Sequence, residues 1–241
     1  MRGIILSGGS GTRLKPLTKI TSKQLLPIYN RPMIYYPLNT LIKAGIKEIL
    51  IIVAPERAGD YLNLLGSGKE FGVKFTYEIQ DHPAGLAQAF IIGENFIDQE
   101  DVVMILGDNI FEDDVTDAIK SFKGGAKVFA KKVPDPERFG VVKFDKKMKA
   151  EQIVEKPQEY LSDYAVTGLY IYDHRVISVA KGIAPSARGE LEITDVNNWF
   201  LEKGELDVAI VNGEWLDAGT FESLLKAQNF AKEKLADKMV I

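Results

Sequence analysis

The chain has 241 residues, of which 46% are hydrophobic and 27% are charged, proportions typical of a water-soluble globular domain and unlike those of disordered or fibrous proteins. It contains no cysteine, which excludes disulfides, thiolate nucleophiles and Cys-ligated metal centres, so we expect any metal to be bound by oxygen. The net charge of −4 conceals eight Lys or Arg and no acidic residue within positions 1–47. Because these cations surround a glycine turn instead of forming a stripe with interleaved aromatics, they indicate a small phosphorylated ligand rather than nucleic acid.

No targeting or membrane segment is evident in the sequence. No apolar run approaches the length of a membrane helix, and residues 1–6 lead directly into glycines instead of a secretory hydrophobic region. The sequence therefore predicts a cytoplasmic protein with no membrane partner.

Short β-branched runs alternate with helix-like stretches in the first half of the chain. The strand-like runs are RGIIL, EILIIVA, VKFTYEIQ and DVVMIL, and the helix-like stretches are PMIYYPLNTLIKAG, ERAGDYLNLLG and GLAQAFIIGENF. This alternation predicts βαβ units and a mostly parallel sheet. EILIIVA and DVVMIL are nearly continuous apolar runs, so we expect both to be central strands covered on two faces.

Closely spaced strands are predicted between residues 126 and 173. They are AKVFAKKV, FGVVKF, QIVEKP and YAVTGLYIYD, separated by turn signals, and we interpret them as a subregion on the substrate side. The chain then returns to helix-like stretches and ends in an amphipathic helix predicted over 220–237, capped by Thr220. We predict a single domain over 1–241.

Glycine-rich or polar segments follow several of the predicted strands, where ligands bind in open α/β sheets. These segments are SGGSGTR, QDHPAG, GDN and WLDAG. Glycines allow backbone N–H groups to approach a phosphate or a base, while Arg13 and Lys23 would neutralise charge. SGGSGTR is not a Walker A loop, since no Gly-Lys-Ser/Thr follows, and Leu14 occupies the third small position of a dinucleotide fingerprint. The segment therefore predicts an anion site that is neither a Walker A nor an NAD site.

The order of several motifs resembles the sugar nucleotidyltransferases, in particular those that use thymidine nucleotides. The motifs span about residues 3–228 and are GGSGTRL, KQLLP, MIYYPLNTL, GLAQAF, LGDN, DPERFGVV, EKP, YAVTGLY, RGELEITDVN and WLDAGT. The resemblance implies a three-layer α/β/α Rossmann-like nucleotidyltransferase fold with a mixed, mainly parallel central sheet. It also implies transfer of a thymidylyl group from dTTP to glucose 1-phosphate, giving dTDP-glucose and pyrophosphate.

The resemblance assigns catalytic roles to four charged side chains. Asp108 and Asp217 match the family's metal ligands and are expected to hold Mg²⁺, which favours carboxylate, phosphate and water oxygens. Arg13 and Lys23 match the residues that bind the triphosphate and stabilise the leaving pyrophosphate. Catalysis is expected to consist of positioning and charge neutralisation around an in-line displacement.

The resemblance also assigns binding residues to each substrate. For the nucleotide they are Gly8, Gly9, Gln24, Gln80 and Gly85. For the sugar phosphate they are Gly140, Glu155, Lys156, Val166 and Arg188. Residues 1–125 are thus expected to bind mainly the nucleotide, and residues 126–241 mainly the sugar phosphate.

Two features depart from the long bacterial members of the family. Phe139 stands where tyrosine is common, which removes a hydroxyl near the sugar. The sequence ends at Ile241, whereas long members continue with C-terminal helices that form oligomer contacts and an inhibitory nucleotide site. Feedback control and tetramer formation therefore cannot be carried over from the resemblance, and a homo-oligomer is possible but cannot be inferred.

Three alternative functions remain at this level. A nucleotidyltransferase specific for UTP or for another sugar 1-phosphate differs only in its pocket, since thymine and uracil differ by one methyl group. A non-catalytic nucleotide-sugar sensor would be expected to have lost a metal ligand or a phosphate-binding cation, and the sequence retains all of them. A sugar-transferring glycosyltransferase would be expected to carry an Asp-x-Asp metal motif, and GDN lacks the second acid.

Overall fold

The computed structural model describes residues 1–9, 11–236 and 238–241. Ser10 of the predicted glycine loop and Asp237 at the end of the predicted last helix lie outside the described residues. The strands are β1 (Arg2–Ser7), β2 (Pro27–Ile28), β3 (Arg31–Pro32), β4 (Glu48–Val53), β5 (Lys74–Ile79), β6 (Val102–Leu106), β7 (Asn109–Phe111), β8 (Ala126–Lys132), β9 (Gly140–Phe144), β10 (Ala150–Glu155), β11 (Tyr164–Tyr172), β12 (Leu206–Ile210) and β13 (Trp215–Asp217). The α-helices are α1 (Tyr35–Lys43), α2 (Ala58–Leu65), α3 (Gln88–Ile92), α4 (Glu94–Ile97), α5 (Thr116–Lys120), α6 (Val176–Gly182), α7 (Ile193–Glu202) and α8 (Phe221–Phe230).

One nine-stranded sheet runs through the described part of the chain. Its order is β10, β9, β11, β6, β1, β4 and β5, with β8 paired to β11 and β12 paired to β8. β1, β4, β5 and β6 are parallel, and β12 is parallel to β8, whereas β11 is antiparallel to β6, β8 and β9, and β10 to β9. Within this sheet, all strands except β10 and β11 therefore share one direction. This confirms the predicted mixed, mainly parallel sheet, with β4 and β6 in central positions.

The two faces of the sheet are covered by different helices because successive strand residues point to opposite sides. On one face Ile4 and Leu6 belong to a buried cluster that includes residues of α3, α6 and α7. On the other face Ile5 lies in a cluster with residues of α1, α2 and α5. The helix, sheet and helix layers confirm the predicted three-layer α/β arrangement.

A third, smaller cluster joins α8 to the segment that follows the glycine loop. Leu224 and Ala227 of α8 lie in it with Leu14, Ile28 and Met33. The N-terminus of α8 carries the predicted cap, since the Thr220 side chain accepts a hydrogen bond from the Ser223 backbone N–H. The helix ends at Phe230 and the chain continues as a π-helical segment over Ala231–Leu235.

A buried turn follows β11 at Asp173. Its carboxylate accepts hydrogen bonds from the Gly125 N–H at 2.8 Å and from the Arg175 guanidinium at 2.7 Å. Burial would raise the pKa of Asp173, but these hydrogen bonds bring the pKa below its ordinary value. The turn therefore ties the end of β11 to the start of β8 through an ionised carboxylate.

None of the described helices combines the length and the apolar character needed to cross a membrane.

Candidate active site

The predicted site residues converge at one edge of the sheet. β1, β5 and β6 are parallel members of the same sheet, and they are followed by Gly8, Gln80 and Asp108 respectively. Parallel strands bring their carboxyl ends to the same edge, which is the predicted position of a ligand site. Asp217 reaches this edge on β13, which pairs with β7, and the Ala218 N–H donates to the Asp108 carbonyl oxygen at 3.0 Å.

Asp108 and Lys23 form a buried ion pair in which the ammonium group donates a hydrogen bond to the carboxylate. Burial would raise the pKa of Asp108, but the attraction of Lys23 and hydrogen bonds from Lys23 and Asn109 bring it below its ordinary value. Burial likewise opposes the charge on Lys23, yet Asp108 and the nearby Asp217 hold its pKa above its ordinary value. Both partners are therefore charged at neutral pH.

Asp217 faces a different balance of charge. Burial and the neighbouring Asp108 carboxylate raise the pKa of Asp217 to about 7, although Lys23 and Arg13 oppose this change. Its Oδ1 atom is buried and has no hydrogen-bond partner among the described residues. Two carboxylates thus lie close together with one oxygen unsatisfied.

This donor set fits a divalent cation. Among residues 1–9, 11–236 and 238–241, no group of three or more His, Cys, Asp or Glu side chains is arranged to hold a metal. Two carboxylates are nevertheless enough for Mg²⁺, which completes its octahedron with water and substrate phosphate oxygens. The unsatisfied Asp217 oxygen and the repulsion between the two carboxylates are what a bound cation would relieve.

A cavity of about 210 Å³ opens beside Asp108. The predicted residues that line it are Gly9, Lys23, Gln24, Gln80, Gly85 and Asp108. Leu6, Pro83, Leu86, Leu106 and Glu190 complete the wall. The structure therefore brings together the nucleotide-side residues that the resemblance implied, with the exception of Gly8.

The amide of Gln24 is held by two hydroxyl groups. Gln24 is 3% exposed, and its Oε1 atom accepts hydrogen bonds from Ser22 Oγ at 2.8 Å and from Tyr61 OH at 3.1 Å. Burial raises the pKa of Tyr61 to about 12, so its phenol is protonated at neutral pH. With Oε1 engaged, the NH₂ group of Gln24 is the part of the amide left for a ligand.

Gly85 joins the cavity wall to a segment from the other half of the chain. It has φ of 101°, and a Cβ atom there would lie 2.4 Å from the Leu191 carbonyl oxygen. The Leu191 N–H donates to the Ala84 carbonyl oxygen at 2.7 Å, and the Ala87 N–H donates to the Leu191 carbonyl oxygen at 3.2 Å. Only glycine fits this position without displacing the backbone.

A second cavity, of about 230 Å³, adjoins the first. The two share Leu86, Leu106 and Glu190 as a common wall. The predicted residues that line the second cavity are Gly140, Glu155, Lys156, Val166, Arg188 and Asp217. The sugar-side residues implied by the resemblance are therefore brought together as well.

The cationic side of this second cavity is balanced by acids. Arg188 lies 2.8 Å from Glu192, 3.2 Å from Glu155 and 3.5 Å from Glu190. Glu155 also accepts a hydrogen bond from Thr194 Oγ1 at 2.7 Å. Arg188 is thus surrounded by three carboxylates.

Asn109 links the 230 Å³ cavity to Asp108 of the carboxylate pair. Its Oδ1 atom accepts from the Trp215 indole N–H at 2.6 Å and from the Gly168 N–H at 2.9 Å, and its amide donates to Asp108 Oδ1 at 3.0 Å. Phe139, the residue in place of the common tyrosine, packs against Trp215 with ring centroids 5.1 Å apart. The aromatic pair supports one wall of the 230 Å³ cavity.

Two predicted residues do not line either cavity. Gly8 lies next to Gln80, with no room for a side chain between them, because a Cβ atom on Gly8 would be 2.0 Å from Gln80 Oε1. Arg13 is exposed, and its guanidinium lies against Gly219. A Cβ atom on Gly219 would be 2.9 Å from a terminal nitrogen of the Arg13 guanidinium. Arg13 is therefore close to Asp217 but reaches it from outside the cavities.

Sequence reasoning missed several polar residues that shape the site. They are Ser22, Tyr61, Gln88, Asn109, Glu190, Glu192, Thr194 and Trp215. Gln88, Asn109, Glu190, Glu192, Thr194 and Trp215 belong to the motifs that carry the resemblance but had no predicted role, because the motifs do not show which member faces the cavity. Tyr61 lies on a helix far from any motif, and no local signal marks it.

A mixed α/β sheet with paired carboxylates and cationic side chains beside two adjoining cavities fits an enzyme that joins a nucleotide to a second phosphorylated substrate. The family model described as nucleotidyl transferase matches residues 2–234. The chain belongs to the nucleotidyl transferase family.

Closer relatives share most of the chain. A glucose-1-phosphate thymidylyltransferase from Neisseria meningitidis serogroup A is 54% identical over 238 residues, which cover 96% of this chain and 83% of that protein. A Bacillus anthracis protein provisionally assigned as a glucose-1-phosphate thymidylyltransferase, solved in complex with sucrose, superposes with a TM-score of 0.92 at 50% identity and covers 97% of this chain and 96% of its own. A UDP-glucose pyrophosphorylase complexed with UDP-glucose superposes with a TM-score of 0.85 at 25% identity. The match covers 97% of this chain and 98% of that chain.

Proposed function

We propose that the protein transfers the thymidylyl group of dTTP to glucose 1-phosphate, releasing pyrophosphate and forming dTDP-glucose. The observation that carries the proposal is the meeting of two cavities at the carboxylate pair. One cavity is bordered by Lys23 and Asp108, and the other by Asp217 and Arg188. Relatives at about half identity over nearly the whole chain are named for this activity, which supports the same substrates here.

The nucleotide is proposed to occupy the 210 Å³ cavity. Gln24 and Gln80 offer amide groups to the edge of the base, and the backbone at Gly85 offers a further contact. The triphosphate would extend past Gly8 and Gly9 toward Lys23 and Arg13. Lys23 lies against Asp108 and would stabilise negative charge as the bond to the leaving pyrophosphate breaks.

Asp108 and Asp217 are proposed to hold one Mg²⁺ ion. When bound, this cation neutralises phosphate oxygens and polarises the phosphorus that is attacked. The two aspartates contribute charge and position, and Asn109 fixes the rotation of the Asp108 carboxylate. The choice of Mg²⁺ over other divalent cations is part of the proposal.

The sugar phosphate is proposed to occupy the 230 Å³ cavity. Lys156 and Arg188 would bind its phosphate, while Glu155, Gly140 and the Val166 backbone would contact the sugar hydroxyls. A phosphate oxygen is already ionised at neutral pH and attacks without loss of a proton. The site therefore needs no general base.

Consistent with this chemistry, neither His82 nor His174 lines the two cavities. The contribution of the protein is to hold the attacking oxygen in line with the leaving group and to offset the repulsion between the two phosphates.

The remaining expectations belong to the same proposal. Residues 1–125 would bind mainly the nucleotide and residues 126–241 mainly the sugar phosphate, within one domain. A cytoplasmic location and the absence of a nucleic-acid partner stay predictions.

Initial-rate assays with the purified full chain test the proposal. With dTTP, glucose 1-phosphate and MgCl₂, we expect equimolar pyrophosphate and dTDP-glucose, and a higher kcat/KM for dTTP than for UTP. Asp108→Asn is expected to lower the rate by about a hundredfold or more, whereas Asp117→Asn on the exposed side of α5 serves as a matched control. Preference for UTP would refute the assigned nucleotide, and binding of dTTP without turnover would indicate a sensor instead of an enzyme.

A further inference from the structure

Gln88 lies on α3 behind the nucleotide cavity and does not line it. Its Oε1 atom accepts two hydrogen bonds, one from the Ala84 backbone N–H at 3.0 Å and one from Gln80 Nε2 at 2.7 Å. Gln80 does line the cavity and is 3% exposed. Gln88 therefore stands between the backbone of the cavity wall and one of the side chains that would face the base.

The order of donors and acceptors fixes the orientation of both amides. A backbone N–H can only donate, so the Gln88 atom next to Ala84 must be its carbonyl oxygen. That oxygen can only accept, so Gln80 must turn its NH₂ group toward Gln88. The carbonyl oxygen of Gln80 is consequently directed to the opposite side.

On that opposite side, Gly8 leaves space for the Gln80 oxygen. A Cβ atom on Gly8 would lie 2.0 Å from Gln80 Oε1, so any larger residue would occupy the place of the amide oxygen. Gln80 is thus held as a hydrogen-bond acceptor beside the loop that follows β1. Gln24, with its own oxygen engaged by Ser22 and Tyr61, leaves its NH₂ group as a donor.

We propose that Gln88 is a positioning residue that makes Gln80 an acceptor and thereby selects pyrimidine bases with an imide N–H. The inference rests on the proposed function, in which this cavity holds the base of the triphosphate. Thymine and uracil carry a hydrogen on N3 between two carbonyl oxygens, which matches a donor from Gln24 and an acceptor from Gln80. Cytosine presents a lone pair at N3, which would face the Gln80 oxygen in the same register.

Because Gln80 is buried, the orientation of its amide should decide which base is accepted. Water cannot easily enter to bridge two facing acceptors at a side chain that is 3% exposed, so a mismatched base leaves polar groups unpaired. Without an acceptor at position 88, the Gln80 amide could rotate by half a turn and present its NH₂ group to cytosine N3. Selectivity between bases should then fall, although the catalytic residues are unchanged.

The test compares Gln88→Met, which keeps the length of the side chain but loses the acceptor, with Gln88→Glu, which keeps an acceptor oxygen. For the full chain and both variants, kcat/KM is measured with dTTP and with dCTP at saturating glucose 1-phosphate and MgCl₂. We expect Gln88→Met to lower the dTTP-to-dCTP ratio by about tenfold, corresponding to ~1.4 kcal/mol, and Gln88→Glu to retain it. Thermal unfolding of each variant verifies folding, and Gln88→Ala replaces Gln88→Met if the latter does not fold.

The outcomes separate this inference from the function on which it rests. An unchanged dTTP-to-dCTP ratio in a folded, active Gln88→Met or Gln88→Ala variant overturns the role of Gln88 and leaves the proposed function intact. If kcat/KM falls by the same factor for dTTP and for dCTP, the role of Gln88 is also overturned, because a residue that only maintains the structure would give that result. A wild-type chain that turns over no pyrimidine triphosphate overturns the proposed function and this inference together.

Discussion

The substitution Asp217→Asn tests the charge balance where the two cavities meet, because it removes one of two adjacent carboxylates and keeps the shape of the side chain. We expect the ligand-free protein to become more stable above pH 7 and the enzyme to lose about a hundredfold or more in turnover. The repulsion between Asp108 and Asp217 that destabilises the metal-free protein would also favour the binding of a cation. Stability and activity should therefore change in opposite directions.

The expected gain in the free energy of unfolding of Asp217→Asn follows from the pKa of Asp217. A carboxyl with an ordinary pKa of 3.8 and a pKa of about 7 in the folded protein is destabilised, when fully ionised, by about 4 kcal/mol at ~1.36 kcal/mol per pKa unit. Because Asp217 is only partly buried and an amide is still a polar group, we expect about half of this, ~2 kcal/mol. For a chain of this size that gain raises the Tm by about 4–8 °C.

The stability difference between Asp217→Asn and the wild type should depend on pH in one direction. Between pH 3.8 and about 7 the folded state binds a proton that the unfolded state has released, so the free energy of unfolding of the wild type falls as the pH rises. Below pH 3.8 both states are protonated and the penalty is absent. The advantage of Asp217→Asn should thus be small near pH 4 and complete above pH 7.

The measurement is thermal and urea unfolding of the ligand-free proteins without divalent cations, from pH 4 to 8.5. Glu159→Gln, at an exposed site, controls for the loss of one negative charge. Adding MgCl₂ with dTTP should stabilise the wild type more than the variant. A Tm difference that is equal at pH 4 and pH 8, or a variant less stable at pH 8, would refute the reasoning.

Three further predictions concern other parts of the molecule. Lys23→Ala should lower kcat by about a hundredfold or more, whereas exposed Lys15→Ala should not, and a loss confined to KM would contradict a role in stabilising the leaving group. Asp173→Asn should lower the free energy of unfolding at pH 7 by about 1–2 kcal/mol. That difference should shrink as the pH falls below 3.8, through the lowered pKa, and a difference constant with pH in urea titrations would argue against an ionised carboxylate. Gly85→Ala should cost about 1–3 kcal/mol and raise KM for both substrates, because Cβ would collide with the Leu191 backbone; a variant as stable as the wild type would disprove the close packing.

Eight strands of the large sheet could be predicted from the sequence because their signals are local, whereas β12 and the short strands β2, β3, β7 and β13 were not predicted. Apolar runs such as EILIIVA and DVVMIL become β4 and β6, covered on both faces, and each predicted boundary lies within two residues of the observed one. Thr220 was identified as a cap because a capping residue acts on the turn that follows it. In each case the interaction that decides the structure is contained in the segment itself.

The contacts between remote segments could not be predicted in this way. Gln88 acts on Gln80 through the oxygen that also binds Ala84, and this depends on how α3 sits behind β5. The resemblance predicts that Arg188 binds phosphate, but its three glutamate neighbours come from β10 and from the turn before α7. Side-chain orientation at a tertiary contact leaves no periodic pattern in the sequence.

The backbone hydrogen bonds between Ala84, Ala87 and Leu191 have a kinetic consequence. They join the segment of Gly85 and Leu86 to that of Glu190, and Leu86 and Glu190 line both cavities. In the proposed function, each substrate would therefore contact a segment that also borders the site of the other. The apparent KM for one substrate should therefore change with the concentration of the other. Initial rates measured over a grid of both substrate concentrations are needed to determine either affinity.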